Sequence, residues 1–139
     1  MSEDLKMNVQ SHRSIPEGQH PGRIVKLSTR ETNFGPYLDV AIDVLDMSGE
    51  SPEVISTLTA GYPAKITSQT YLGQLLERFG VNLEEGSAID LAEILQETPV
   101  IFSTEDERTE DGTFAQIEKQ TVRPHPEFSH EDVWGMDED

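Results

Sequence analysis

YLDVAIDVLD, residues 37–46, carries the clearest period-2 pattern in the sequence. Aliphatic residues occupy every second position, and mainly polar residues stand between them. The first set is Leu38, Val40, Ile42 and Val44, and the second is Tyr37, Asp39, Ala41 and Asp43. Strict alternation is the period of a β-strand that has one face on the core and the other in solvent. The stretch therefore predicts a half-buried strand with Tyr37 on its solvent face.

Further strands are indicated on both sides of this stretch, where turn residues separate apolar, β-branched segments. NFGP precedes the stretch and MSGESP follows it, and both have the composition of turns. The loop ERTEDG carries an Asp-Gly pair, which suits a hairpin. These boundaries predict additional strands at residues 20–32, 53–61, 98–106 and 113–124.

A helix interrupts the series of strands. Its apolar residues recur at spacings of three and four, Thr67 or Ser68 is a candidate N-cap, and Gly80 ends it. A shorter helix is predicted at residues 88–95. The apolar stripe of the first helix consists of Tyr71, Leu72, Leu75, Leu76 and Phe79.

The predicted order is β-β-β-α-β-β, an all-β protein with one or two short helices. Five short strands with a helix between the third and fourth are the layout of the OB-fold, a partly open Greek-key barrel. An SH3-like barrel or a general α+β sheet also fits the periodicity. The chain divides into a flexible N-terminal arm at 1–14, one domain at 15–125 and a disordered acidic tail at 126–139.

The composition is strongly acidic, with 27 acidic and 10 basic residues and a formal charge of -17. Such a charge favours solubility and repels polyanions. The absence of cysteine excludes disulfides and thiolate chemistry. No membrane span or signal peptide is indicated, so we expect a cytoplasmic protein. Scarce lysine also suits adaptation to a salt-rich cytoplasm.

Five segments resemble, in order and spacing, the small OB-fold single-stranded-DNA-binding-like proteins of phages, archaeal viruses and archaea. The resemblance covers about residues 16–124, and it implies an OB-fold that binds single-stranded nucleic acid in replication or recombination. The chain differs from these proteins in charge, because such proteins usually present a basic groove and this chain is acidic. The segments are PEGQHPGRIVKL, TNFGPYLDVAIDVLD, YLGQLLERFG, TPVIFSTED and GTFAQIEKQTVRP.

Binding a polyanion to an acidic body requires a local basic track and exposed aromatic rings. The predicted strands and their ends carry six suitable cations, which OB topology brings near one another. Tyr37 has solvent-facing parity, Phe34 lies in the first turn, and Phe114 alternates with apolar neighbours. The expected nucleic-acid contacts are Arg23, Lys26, Arg30, Lys65, Lys119 and Arg123, with Phe34, Tyr37 and Phe114 as stacking rings.

The C-terminal segment HEDVWGMDED, residues 130–139, contains the single tryptophan among carboxylates. The resemblance implies that such a tail docks on replication or recombination proteins and competes with DNA. A few apolar anchors among charges suit a ligand for a basic partner surface. The expected anchors are Phe128, Val133, Trp134 and Met136.

The sequence lacks the motifs of phosphate-binding loops and of the hydrolase nucleophile elbow, so we expect no enzymatic activity. His125, His130, Glu131 and Asp132 lie in a segment without fixed geometry, and we expect neither a metal site nor a cofactor. Single-stranded DNA is the expected ligand, with RNA as a variant. The alternative is an acidic protein-interaction module or DNA mimic, salt-adapted or not, that binds no nucleic acid.

Overall fold

The computed structural model describes residues 15–110 and 112–134. The expected N-terminal arm at 1–14 and the expected anchor Met136 lie outside the described residues. The described strands are β1 (Gly18–Thr32), β2 (Gly35–Asp46), β3 (Glu53–Pro63), β4 (Pro99–Thr109), β5 (Gly112–Ile117) and β6 (Arg123–Pro124). The helices are α1 (Tyr71–Arg78), α2 (Leu91–Leu95) and α3 (His130–Trp134). The protein is therefore mainly β, with a few short helices.

The strands form one antiparallel sheet in the order β3-β2-β1-β4-β5, with β6 paired to β4. β1 is long because it serves two neighbours: Gly18–Arg23 pair with β4, and Gly22–Thr32 pair with β2. The register with β2 shifts between Ile24 and Lys26, where a bulge bends the strand. At Gly22 an added Cβ would lie 2.5 Å from the carbonyl oxygen of Asp43, so this crossing needs glycine.

The core lies on the inner face of the sheet. Leu38, Val40, Ile42 and Val44 are buried, which places the alternate residues of β2 outward, as the sequence predicts. Helix α1 covers this face with leucines of its apolar stripe. The helical contribution to the core comes from Leu72, Leu75, Leu76 and, in α2, Leu95.

Helix α1 begins later than the sequence suggests. The Thr70 side chain caps it by accepting a hydrogen bond from the backbone N–H of Gly73 at 3.1 Å. Thr67, an expected cap, instead forms a turn in which its carbonyl oxygen accepts a hydrogen bond from the Thr70 N–H. Gly80, with a φ of 88°, follows the helix in the left-handed conformation that glycine tolerates.

The closing strand predicted at 113–124 is divided, which makes six strands where five were predicted. A single 3-10 turn at Lys119–Thr121 separates β5 from β6. Arg78 holds this turn because its guanidinium donates to the carbonyl oxygens of Val122 at 2.6 Å and Lys119 at 3.2 Å. The Tyr62 hydroxyl also donates to the Lys119 carbonyl oxygen, at 2.9 Å. These contacts satisfy carbonyl groups that a continuous ladder would have paired.

The C-terminal segment differs from the expected disordered tail as far as the structure describes it. Residues 130–134 form α3, and Val133 is fully buried. The stretch before α3 is held by His125, whose Nδ1 accepts the N–H groups of Glu127 and Phe128 at 3.0 and 3.1 Å. Contacts with Arg23 of β1 and with Glu97, which lies between α2 and β4, provide partners that the local composition does not reveal.

Candidate nucleic-acid interface

We call the solvent side of β1, β2 and β3 the outer face. Its side chains lie in cross-strand rows, because residues that face each other across antiparallel strands point to the same side. From one end to the other the rows are Arg30, Tyr37 and Pro63; Ser28, Asp39 and Gly61; Lys26, Ala41 and Thr59; and Arg23, Asp43 and Thr57. Each end therefore carries an arginine of β1.

The first end, the Tyr37 end, is built around Arg30. Its Nε donates to Asp39 Oδ2 at 2.7 Å, and its guanidinium carbon lies 5.0 Å from the centre of the Tyr37 ring. The hydrogen bond to Asp39 raises the pKa of Arg30. Gly61 makes room for this pair, since a Cβ there would lie 3.1 Å from Arg30 Nη2 and 3.2 Å from Asp39 Oδ1. Asp39 Oδ1 is buried and has no hydrogen-bond partner among the described residues.

Lys119 adds a second cation to the Tyr37 end, although it is distant in sequence. The 3-10 turn brings its Nζ to 2.5 Å from the carbonyl oxygen of Gly61 and 5.4 Å from the centre of the Tyr71 ring. Burial, and then the positive charge of Arg30, lower the pKa of Lys119. The Tyr71 ring is 49% exposed. The Tyr37 end thus combines two cations and two aromatic rings with access to solvent.

The second end, the Trp134 end, is built around Arg23. Its Nε donates to Asp43 Oδ2 at 3.0 Å, and Asp43 Oδ1 accepts from the Thr57 hydroxyl at 2.7 Å. Helix α3 covers this arginine. The Arg23 Nη1 donates to the Val133 carbonyl oxygen at 2.8 Å, and the Trp134 ring centre lies 4.0 Å from the Arg23 guanidinium carbon. Arg23 is therefore committed to contacts within the chain.

Trp134 is fixed by its polar edge as well as by its ring. Its Nε1 donates to the carbonyl oxygen of Glu97 at 3.0 Å. Glu97 has a φ of 66°, an uncommon conformation for a residue with a side chain, and its N–H donates to the Ile24 carbonyl oxygen at 2.9 Å. The His130 ring stacks on Trp134 with ring centres 5.9 Å apart. The expected partner anchors Val133 and Trp134 thus bind their own chain, and Phe128 stacks on His125 at 4.3 Å.

Two expected stacking rings are exposed near the turns. Phe34, in the β1–β2 turn, is 91% exposed, and its N–H donates to the Thr32 hydroxyl at 3.0 Å. Phe114, in β5 opposite Glu107, is 53% exposed. Phe34 is thus almost uncovered, whereas about half of Phe114 is covered. They remain available to a ligand that crosses the turns.

The other expected cations have different surroundings. Lys26 is exposed in the middle of the outer face. Lys65 is exposed just after β3, near Pro63, which pairs with Tyr37. Arg123 lies in β6, outside the outer-face rows, and its Nη1 donates to the Thr121 carbonyl oxygen at 3.0 Å. The structure therefore brings Arg23, Lys26, Arg30, Tyr37 and Lys119 onto or beside one face and leaves Arg123 outside it.

Sequence reasoning missed the residues that balance and support these cations. Asp39 and Asp43 have outward parity in β2, so the alternation of residues 37–46 was a usable signal for both. Tyr71 was assigned to the helical core stripe, whereas its ring is beside Lys119. Arg78, which holds the turn that presents Lys119, carries no local signal because its partners lie more than forty residues away.

The outer face and its surroundings carry both cations and exposed aromatic rings. Lys26, Arg30 and Lys119 are the cations on or beside the outer face that lie outside the contacts of α3. The Asp39 carboxylate offsets part of their charge. Cations of this kind bind phosphate groups, and exposed rings stack on bases. The described residues contain no group of three or more potential metal ligands. No helix in residues 15–110 or 112–134 is both long and apolar enough to cross a membrane.

Comparison with known proteins gives no assignment for this arrangement. No protein-family model matches the chain, and the search of curated protein sequences found no match.

Proposed function

We propose that this protein is a non-enzymatic OB-fold protein that binds single-stranded nucleic acid, DNA in the first place, with little sequence preference, in replication or recombination. The strand pairing supports the fold: β1 pairs with both β2 and β4, and α1 lies between β3 and β4 in the chain. β3 and β5 also approach each other, which suits a closing barrel. In this fold the second and third strands and the adjacent loops bind oligonucleotides.

The observation that carries the proposal is the concentration of cations and aromatic rings on one face of an acidic chain. Arg30, Lys119 and Tyr37 lie together at one end, and Lys26 is exposed along the same face. A protein with a formal charge of -17 repels a polyanion, so binding requires such a local reversal of charge. Because Asp39 offsets part of this charge, we expect stacking to contribute a large share of the affinity.

In this proposal the C-terminal segment recruits replication or recombination proteins. Trp134 is a suitable anchor because a tryptophan buries a large area and is enriched at interface hot spots. In the structure its ring lies on Arg23 and its Nε1 donates to Glu97. A partner that takes Trp134 must therefore replace these contacts, so recruitment requires the segment to leave the Trp134 end.

Fluorescence anisotropy of labelled oligo-dT tests the proposal. The titration is made over a salt series with the full chain and with a chain that ends at residue 125. We expect Tyr37→Ala to weaken binding about tenfold without changing the salt slope, since one base stack is worth about 1–3 kcal/mol. Lys26→Gln should weaken binding and reduce the salt slope by about one counterion.

The matched controls retain the interaction under test. Tyr37→Phe keeps the ring and should bind as the parent does, and Lys26→Arg keeps the charge. A labelled oligo-U of the same length separates DNA from RNA as the preferred ligand. If neither form of the chain binds oligo-dT at any salt concentration, the proposal is wrong.

The second candidate is an acidic protein-interaction module or DNA mimic. The observation that favours it is that both outer-face arginines are already paired with aspartates, Arg30 with Asp39 and Arg23 with Asp43. Exposed carboxylates also follow one another along β4 at Glu105, Asp106 and Glu107. This candidate predicts no oligonucleotide binding and a saturable complex with a basic nucleic-acid-binding protein in the same titration format.

A further inference from the structure

A cleft distinct from the outer face opens beside helix α1. Its volume is about 470 Å³, and it lies between the β3–α1 connection, the exposed side of α1 and the segment that precedes α2. Pockets that accept ligands commonly have volumes of about 300–1,000 Å³. The cleft is therefore large enough to accept more than one side chain of a partner.

The lining of the cleft joins an apolar floor to a negative rim. Ile66, Leu83 and Ile89 are its apolar residues, and Glu77, Glu84 and Glu85 are its charged residues. Within residues 15–110 and 112–134, no lysine or arginine lines it. Ile66, which follows β3, is 38% exposed. An aliphatic side chain left open in a concave surface is a candidate anchor site.

The carboxylates on the rim are free to meet a ligand. Among the described residues, the Glu84 carboxylate accepts only one long hydrogen bond, from Asn82 Nδ2 at 3.4 Å. In the part of the chain that the structure describes, the carboxylates of Glu77 and Glu85 form no hydrogen bond or ion pair. The complementary ligand therefore carries positive charge next to an apolar group.

We propose that this cleft binds a cationic peptide segment of another protein, with a large aliphatic or aromatic side chain of the segment on the floor and its basic residues at the rim. Charge complementarity selects this occupant. A nucleic acid is repelled by three carboxylates, and a second copy of a chain with a formal charge of -17 is repelled as well. A basic segment is instead attracted, both by the rim and by the net charge of the whole protein.

The cleft proposed for the peptide and the outer face proposed for nucleic acid are separate surfaces. The cleft is lined by residues 66–68, Glu77, residues 83–87 and Ile89. The outer face is built from β1, β2 and β3, and its rows contain none of these residues. We therefore expect a peptide in the cleft and an oligonucleotide on the outer face to be bound at the same time.

Heteronuclear NMR on the isotope-labelled full chain tests the site directly. The probe is a short fluorescein-labelled peptide in which leucines alternate with lysines. We expect its addition to shift the amide signals of Thr67, Ser68, Gly86 and Ser87 and to leave those of Tyr37 and Gly61 in place. Shifts confined to the outer face, or no binding at all, would overturn the proposal.

Peptide variants separate the cleft from general attraction to an acidic protein. A peptide with serine in place of leucine should bind about tenfold more weakly, because it has no aliphatic side chain to bury on the floor of the cleft. A peptide with glutamate in place of lysine should not bind. Equal binding of the serine and leucine peptides would show simple charge attraction and would contradict the proposal.

Protein variants complete the test, each with a matched control. Ile66→Ser should weaken peptide binding about tenfold, whereas Val54→Ser, at a residue with similar exposure in β3, should not change it. Glu77→Gln should weaken binding and flatten its salt dependence, in contrast to Glu107→Gln, at an exposed residue of β4. Concentration-dependent shifts of the cleft amides without peptide would identify a second copy as the occupant and overturn the proposal. Oligo-dT binding by Ile66→Ser should equal that of the parent.

Discussion

The two ends of the outer face use the same three parts with opposite results. Each has an arginine of β1, an aspartate of β2 and an aromatic ring over the guanidinium. At the Tyr37 end the ring belongs to β2, and the arginine side chain is 52% exposed. At the Trp134 end the ring belongs to α3, and the arginine side chain is 16% exposed. The arginine therefore faces solvent where the ring comes from β2, and it is covered where the ring comes from α3.

An arginine–aspartate pair contributes differently to stability at each end. An exposed pair gains little, because water screens it and holding two side chains in place costs entropy. At the Trp134 end Asp43 is buried and depends on Arg23 and Thr57 for its hydrogen bonds. The Trp134 end is therefore structural, and the Tyr37 end keeps a cation that a ligand can reach.

Replacement of the two arginines should give the largest difference between the ends. Arg23→Met leaves Asp43 buried without its charged partner and removes a hydrogen bond to the Val133 carbonyl, and we expect a loss of about 3 kcal/mol in the free energy of unfolding. Arg30→Met should cost less than about 1 kcal/mol. Urea unfolding followed by circular dichroism measures both. Equal losses would mean that the two pairs have the same environment.

Removal of the ring that closes the Trp134 end should have the next largest effect. Trp134→Ala loses the contact with Arg23 and the hydrogen bond to Glu97, and for a half-buried tryptophan we expect a loss of about 2 kcal/mol. The matched control is Phe34→Ala, since Phe34 is 91% exposed and makes no such contacts. The same urea titration applies. An unchanged midpoint for Trp134→Ala would show that α3 does not stabilise the sheet.

The sequence predicted the parts of this comparison that depend on local periodicity. Alternation in residues 37–46 placed Tyr37 outward and Val40 inward, and both are so placed. The spacing of Leu72, Leu75 and Leu76 predicted the buried side of α1. In each case neighbours in the chain create the pattern, so the pattern can be read without knowledge of the partner elements.

The parts that sequence reasoning missed depend on register and on distant contacts. Arg23 faces Asp43 only because β1 and β2 pair in one register with a bulge at Ile24 and Lys26. Trp134 docks because Glu97 adopts a left-handed conformation and its carbonyl accepts the indole N–H. No pattern within residues 126–139 contains that information, and an acidic composition alone suggested disorder.

Replacement of Lys119, at the Tyr37 end, should have a smaller effect on stability. Lys119→Met keeps most of the aliphatic length and loses the hydrogen bond from Nζ to the Gly61 carbonyl, and we expect a loss of about 1 kcal/mol in the free energy of unfolding. The control is Lys65→Met, at an exposed lysine after β3. Thermal unfolding at fixed pH compares the two. A larger loss of stability for Lys65→Met than for Lys119→Met would show that Lys119 does not stabilise this end.

The smallest expected effect concerns pH and the segment that leads to the Trp134 end. Burial lowers the pKa of His125 below its ordinary value of 6.5; the charge of Glu127 opposes this shift and that of Arg123 adds to it. The folded chain then binds fewer protons at this residue than the unfolded chain. The stability from neutral His125 is fully present above pH 6.5 and is lost as the pH falls through the folded-state pKa.

The structural cause is the acceptor role of His125 Nδ1 toward the N–H groups of Glu127 and Phe128. A proton on Nδ1 turns this acceptor into a donor. Acid should therefore break the two hydrogen bonds that hold the stretch before α3. We expect Trp134 fluorescence and the urea midpoint to fall between about pH 8 and pH 5. His125→Asn supplies an acceptor that does not titrate, and this variant should show a weaker pH dependence.

The outcome that contradicts this prediction is an unchanged pH dependence in His125→Asn. Acid would then act through other groups of the chain. In that event the Trp134 end would be closed by packing alone, without a contribution from the acceptor that precedes α3.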